Sequence, residues 1–78
     1  MIFVGTIDAT GLIKAHNANV VTATDDTTTL SEVPYEIGWT FRFTTAGTFQ
    51  GNDVEVGDMI IAIANKGASF SISDWTII

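Results

Sequence analysis

Asp25, Asp53, Asp58 and Asp74 are the side chains of this sequence that could gather round a cation, and His16 is its single imidazole. A calcium loop needs oxygen ligands at close alternate positions. These four aspartates are scattered and match no such loop, so each is expected to cap its own turn, and no metal site is assigned. His16 has no serine or cysteine arranged with it as a nucleophile and base. One histidine and no cysteine exclude a multi-histidine site, a thiolate site and a disulfide. No glycine-rich phosphate loop is present, and no pair of carboxylates has surroundings that would separate an acid from a base. The expectation is a protein that is not an enzyme and takes no cofactor. A second chemistry is open to Tyr35, Trp39 and Trp75, because sugars stack on aromatic faces. These three are the candidate glycan contacts, and core packing is the competing reading for each.

The elements around these residues read as strands and turns. Ile2–Ile7 is β-branched and aromatic and reads as a strand. Leu12–Ala15 reads as a short extended piece. Val20–Thr29 reads either as strand, turn and strand or as a surface loop. In Trp39–Thr45 the aromatic residues Trp39, Phe41 and Phe43 alternate with Thr40, Arg42 and Thr44, so one face is expected buried and the other exposed. Ala46-Gly47 reads as a reversal and Gly51-Asn52-Asp53 as a further turn. Met59–Ala64 is apolar on both faces, which suits a strand packed on both sides. Phe70 and Ile72 are the possible anchors of the loop 68–73, and Asp74–Ile78 reads as a last strand. One short phrase occurs twice, as Glu36-Ile37-Gly38-Trp39 and Glu55-Val56-Gly57-Asp58. Each time an acid, a β-branched residue and a glycine open a strand, which suits a turn with glycine at positive φ. No window has helical periodicity, so the domain is expected to be all-β, one unit over residues 1–78.

Composition bears on partners. Hydrophobic residues are 46% of the chain and charged residues 15%, against roughly 25% charged in soluble domains. A chain this short buries only about 60–70% of the surface its unfolded form exposes. Association with other chains is therefore expected to complete its burial. The net charge of −6, with only Lys14, Arg42 and Lys66 as cations, argues against nucleic acid and against an anionic membrane. The stretch MIFVGTIDATG lacks the basic and long apolar regions of a signal peptide.

Residues Tyr35–Ile77 resemble a small β-module of bacteriophage and prophage tail-fibre and other virion structural proteins. The resemblance lies in Ile37-Gly38-Trp39-Thr40-Phe41-Arg42, Thr45-Ala46-Gly47-Thr48-Phe49-Gln50-Gly51, Glu55-Val56-Gly57-Asp58-Met59-Ile60-Ile61 and Asp74-Trp75-Thr76-Ile77. The opening Ile2-Phe3-Val4-Gly5-Thr6-Ile7 is similar to a segment that precedes the module, and Val54 stands where a cysteine is common. The resemblance implies a division into residues 1–34, a strand plus a Thr/Asn/Asp-rich segment, and 35–78, the phage-type module. It implies a small sandwich or barrel-like fold of short antiparallel strands that forms an oligomer.

The function expected from these readings is that of a structural virion protein, a decoration, collar or fibre-type component. It would assemble with copies of itself, a trimer among the symmetries open to it, or dock on larger virion proteins. Its localisation would be the virion, after synthesis in the host cytoplasm. The candidate interface residues are Met59, Ile60, Ile61, Ile63, Trp75, Ile77 and Ile78, because an apolar strand at a sheet edge invites pairing. Arg42, on the face opposite the aromatics, could meet an acid across such an interface. The alternative is a carbohydrate-binding, adhesin-like module that recognises a host surface glycan through the aromatics named above.

Overall fold

The alternating run Trp39–Phe43 forms the middle strand of the main sheet in a computed structural model that describes residues 1–78. The strands are β1 (Ile2–Ile7), β2 (Ile13–His16), β3 (Trp39–Phe43), β4 (Gly47–Phe49), β5 (Asn52–Val54), β6 (Met59–Ala62) and β7 (Trp75–Ile77). Single 3-10 turns lie at Leu30–Glu32 and Ile72–Asp74. Five strands make one sheet in the order β2-β1-β3-β6-β7, and β4 and β5 make a separate two-stranded ribbon. The fold is all-β, and no helix is long and apolar enough to cross a membrane.

One pairing departs from the antiparallel expectation: β1 and β3 are parallel, with Ile2 opposite Trp39 and Ile7 opposite Phe43. The segment Asn17–Gly38 makes this possible. A parallel neighbour needs a crossover of a dozen residues or more, and this Thr- and Asn-rich stretch supplies it. It does not form a second strand pair. It turns at residues 24–28, where the Thr27 and Thr28 N–H groups donate to the Thr24 carbonyl, and it meets the sheet's edge at the Leu12–Thr29 bridge and through backbone hydrogen bonds of Asp26 and Thr28 with Ile13.

The alternation in β3 sets the two faces of the sheet. Trp39, Phe41 and Phe43 point inward with Val4 and Ile7 of β1, Ile13 of β2, Ile60 and Ala62 of β6 and Trp75 of β7. The crossover covers this inner face with Val21, Leu30, Val33 and Tyr35, and the ribbon adds Phe49 and Val54. Phe70 and Ile72 pack against the same core. Thr40 was expected on the exposed face and is 1% exposed. It stands in register between Phe3 and Ile61, and its hydroxyl donates to the Gly38 carbonyl, so the polar group is satisfied without water.

The ribbon reverses at Gln50-Gly51, since Phe49 lies opposite Asn52. Asn52 and Asp53 are strand residues and not the turn expected there. Both central residues have positive φ (50° and 80°), the two-residue turn whose twist suits a hairpin. Glutamine is an unusual occupant of that left-handed position, which hid the turn from a reading based on Asn-Gly or Asp-Gly.

The repeated phrase folds as two equivalent turns at opposite ends of the β3–β6 pair. In the first, the Trp39 N–H donates to Glu36 O at 3.1 Å and the Gly38 N–H to Ala62 O at 2.8 Å. In the second, the Asp58 N–H donates to Glu55 O at 3.1 Å and the Gly57 N–H to Phe43 O at 2.9 Å. Both glycines sit at φ 94°. This is the third position of a type II turn, where a Cβ is strained. Each turn ties the start of one strand to the end of its neighbour, so β3 and β6 are related by a local twofold that the sequence shows as repetition.

Candidate interaction surface

The outer face of the five-stranded sheet has no second layer over it. By register, Phe3 and Thr6 of β1, Ala15 of β2, Thr40 and Arg42 of β3, Met59 and Ile61 of β6 and Thr76 of β7 lie on it. Ile78 joins them, exchanging backbone hydrogen bonds with Met59 at 2.8 and 2.9 Å. Phe3 is 52% and Ile78 62% exposed, with Ile63 at 55% beyond the end of β6. No aspartate or glutamate occurs in any of the five strands, in a chain with nine acids.

The candidate interface residues divide between two faces. Met59, Ile61, Ile63 and Ile78 lie on the outer side, as an interface would need. Ile60 and Trp75 are in the chain's own core, at 0% and 6% exposed, and Ile77 packs half-buried against it. This corrects their assignment. In a run apolar on both faces, composition does not tell which parity the aromatics of β3 will draw inward; the pairing of Phe41 with Ile60 and of Ala62 with Trp75 decides it. The residues missed were Phe3, Ile37 and Val56, which read from sequence as strand and turn filler. Ile37 and Val56 are 61% and 68% exposed.

The accessible surface of the chain is 4210 Å2. A monomer of 8.3 kDa is expected to expose about 4,600 Å2. The total surface is thus that of an ordinary monomer of this size. Sixteen buried apolar residues close a core within one copy. What remains unusual is that Phe3, Ile63 and Ile78 are exposed on one face and Ile37 and Val56 at the two turns.

The three proposed glycan contacts are inside. Tyr35, Trp39 and Trp75 are 1%, 5% and 6% exposed and offer no ring face to a sugar. Tyr35 is instead a node. Its ring packs at a tilt against Trp75, with centroids 4.7 Å apart, its hydroxyl donates to Asp74 Oδ2 at 2.6 Å, and it accepts the Ser71 N–H at 3.2 Å. The Trp75 indole N–H is buried and leans toward the same hydroxyl without reaching hydrogen-bond geometry. Burial pushes the Tyr35 hydroxyl above its ordinary value of 10.0, and the Asp74 carboxylate adds to the rise against the opposing donors.

The unfolded chain releases the tyrosine proton near pH 10, whereas the folded chain holds it to higher pH. This contribution to stability is therefore complete below about pH 10 and lost as pH rises through the folded value. Urea midpoints followed by tryptophan fluorescence should show that alkaline loss in the wild type, and Tyr35→Phe should remove the part due to this group. Tyr35→Phe should also cost about 1–3 kcal/mol at neutral pH, by leaving the Asp74 and Ser71 groups without their partner. A midpoint unchanged by Tyr35→Phe at both pH values would show the node to be idle.

The acidic residues are engaged locally. Asp58 accepts the Glu55 N–H at 2.9 Å, Asp53 the Thr48 hydroxyl at 3.2 Å, and Asp25 lies 2.6 Å from His16 Nδ1. Asp26 pairs with Lys14, so the crossover is tied twice to β2. Burial raises the Asp8 carboxyl, but the Thr10 hydroxyl, the Leu12 and Thr10 N–H groups and Lys14 together hold it below the usual range. Glu32 is lowered by the Thr29 N–H and hydroxyl. No three such groups gather to hold a metal ion. Glu36 and Glu55 alone among the acids take part in no side-chain hydrogen bond or ion pair, and the same is true of Arg42 among the cations. A cleft of about 420 Å3 between Tyr35, Glu36, Asn65 and Lys66 is polar and open.

Comparison with family models, with curated proteins and with solved structures found no match.

Proposed function

We propose that this chain is a structural, non-catalytic assembly module of the kind that builds phage virions, docking through the outer face of its sheet on copies of itself or on larger virion proteins. The observation that carries the reading is that face: Phe3, Met59, Ile61 and Ile78 lie around Arg42, with no acid in any strand of the sheet. Burying such a face contributes roughly 25 cal/mol per Å2 of apolar area removed from water. The acids in the loops keep unassembled copies apart by mutual repulsion. The virion setting is supported by the resemblance of residues 35–77 to phage modules. The carbohydrate-binding alternative loses its platform, because the only tyrosine and both tryptophans of the chain are buried.

Mass spectrometry of purified particles from the producing strain tests the reading. Peptides of this chain are expected at many copies per particle. Their absence from intact particles, with the chain present in the lysate, would overturn it.

A further inference from the structure

A sheet without an acid in any strand, inside a chain of net charge −6, is a separation of charge that closing a core does not require. Arg42 stands exposed in its middle, flanked in register by Thr6 and Met59, and has no ion partner. The twin turns carry the opposite pattern. Each holds a carboxylate without a partner, Glu36 or Glu55, next to an exposed β-branched residue, Ile37 or Val56. The second position of a type II turn accepts almost any residue, so folding does not ask for an exposed valine there.

We infer that the outer sheet face receives the Glu55–Val56 turn of a second copy of this chain, with Glu55 paired to Arg42 and Val56 seated among Phe3, Met59 and Ile61. The inference rests on the assembly reading above and gives it a partner and a polarity. Charge complementarity selects a second copy: the face lacks an acid, and the turn brings one already joined to an apolar side chain. Of the twins, Glu55 is the free one, because Glu36 lines the same cleft as Lys66. The turn is also rigid before contact. Asp58 Oδ2 holds the Glu55 N–H at 2.9 Å and Phe43 O the Gly57 N–H at 2.9 Å, so little freedom is lost on docking. Face-to-face pairing would instead set one arginine-bearing, acid-free surface against another.

Val56 lies only three residues before Met59, so turn and face adjoin on one copy. The contact is compatible both with reciprocal exchange in a twofold dimer and with head-to-tail repetition as a ring or a filament. A single turn on a sheet covers less than the ~1,200 Å2 of a stable interface, so the association is weak in dilute solution and strengthened when many copies are gathered on a particle.

Sedimentation velocity of the full chain, from micromolar to millimolar concentration, reads the contact directly. The weight-average mass of the wild type should rise with concentration. Arg42→Glu and Glu55→Arg should each lower the association constant about tenfold or more. An equimolar mixture of the two variants should regain it, since each supplies the charge the other lacks. Both positions are exposed, and circular dichroism checks that both variants remain folded. A wild type that stays monomeric throughout, variants that associate like the wild type, or a mixture no better than its components would each overturn the inference. The particle measurement above is independent of these outcomes, so a virion protein that docks in another way is told apart from one that is not a virion protein.

Discussion

Phe41→Ala is expected to leave the chain partly or wholly unfolded at room temperature. Phe41 is 0% exposed at the centre of the middle strand, opposite Gly5 on one side and Ile60 on the other, with Trp75 at 6.2 Å. Truncating a buried phenylalanine costs about 3–5 kcal/mol, the lost transfer energy plus the cavity left behind. A domain of this length has about 4–12 kcal/mol in total. The layer over the inner face is mostly loop, and its buried anchors Val21, Leu30, Val33 and Tyr35 hang on the same aromatic cluster. Melting temperatures followed by tryptophan fluorescence should fall by about 15 °C or more. Phe41→Leu keeps most of the volume and should cost about 1.5 kcal/mol or less. Equal, small effects of both substitutions would mean that the inner face is held by something other than this cluster.

The sequence made the inner face legible and left the outer one obscure. Trp39, Phe41 and Phe43 alternate with polar residues, and aromatic side chains in alternation leave one choice of burial. The two Glu-β-branched-Gly phrases also read correctly as turns, because only glycine is comfortable at φ 94°. Three features needed partners distant in sequence. Parallel pairing of β1 and β3 depends on where the crossover returns, and Asn17–Gly38 contains no residue that states this. The inward choice of Ile60 over Ile61 depends on register with Phe41. The burial of Thr40 depends on Phe3 and Ile61, its neighbours in register from far earlier and later in the chain.

The same limit applied to the candidate surface. Tryptophan and tyrosine are the residues that a search for ligand contacts picks first, and here all three close the core. The residues without partners were ordinary ones, Arg42, Glu55 and Val56, each unremarkable in sequence. They stand out only after the five-stranded sheet is found to hold no acid, and after every other carboxylate except Glu36 is seen to have a partner within the chain. Large aromatics thus carry the fold of this chain, while the proposed contact draws on residues that folding leaves unpaired.

Gly5→Ala should detach β2 while leaving the β3–β6–β7 half of the sheet paired. A Cβ at Gly5 would lie 2.0 Å from the Ala15 carbonyl oxygen and 2.9 Å from the Ala15 carbonyl carbon and the His16 Cα. All three are backbone atoms, so no rotamer change relieves the clash and the edge strand itself must move. Overpacking of this kind costs about 3 kcal/mol. What β2 holds would loosen with it: the Asn17 N–H on Val4 O at 2.7 Å, the Asp26 N–H on Ile13 O at 2.8 Å, and the pairs Lys14–Asp26 and His16–Asp25. Hydrogen exchange should therefore speed up at Ile13, Asn17 and Asp26 well before it does at Phe43 or Met59, because local opening of an edge needs less than global unfolding. Gly67→Ala is the control, since a Cβ there meets nothing within 4 Å and the substitution should be nearly neutral. If exchange in Gly5→Ala instead rises uniformly across all five strands, β2 and the crossover are not a separable layer, and the sheet opens only as a whole.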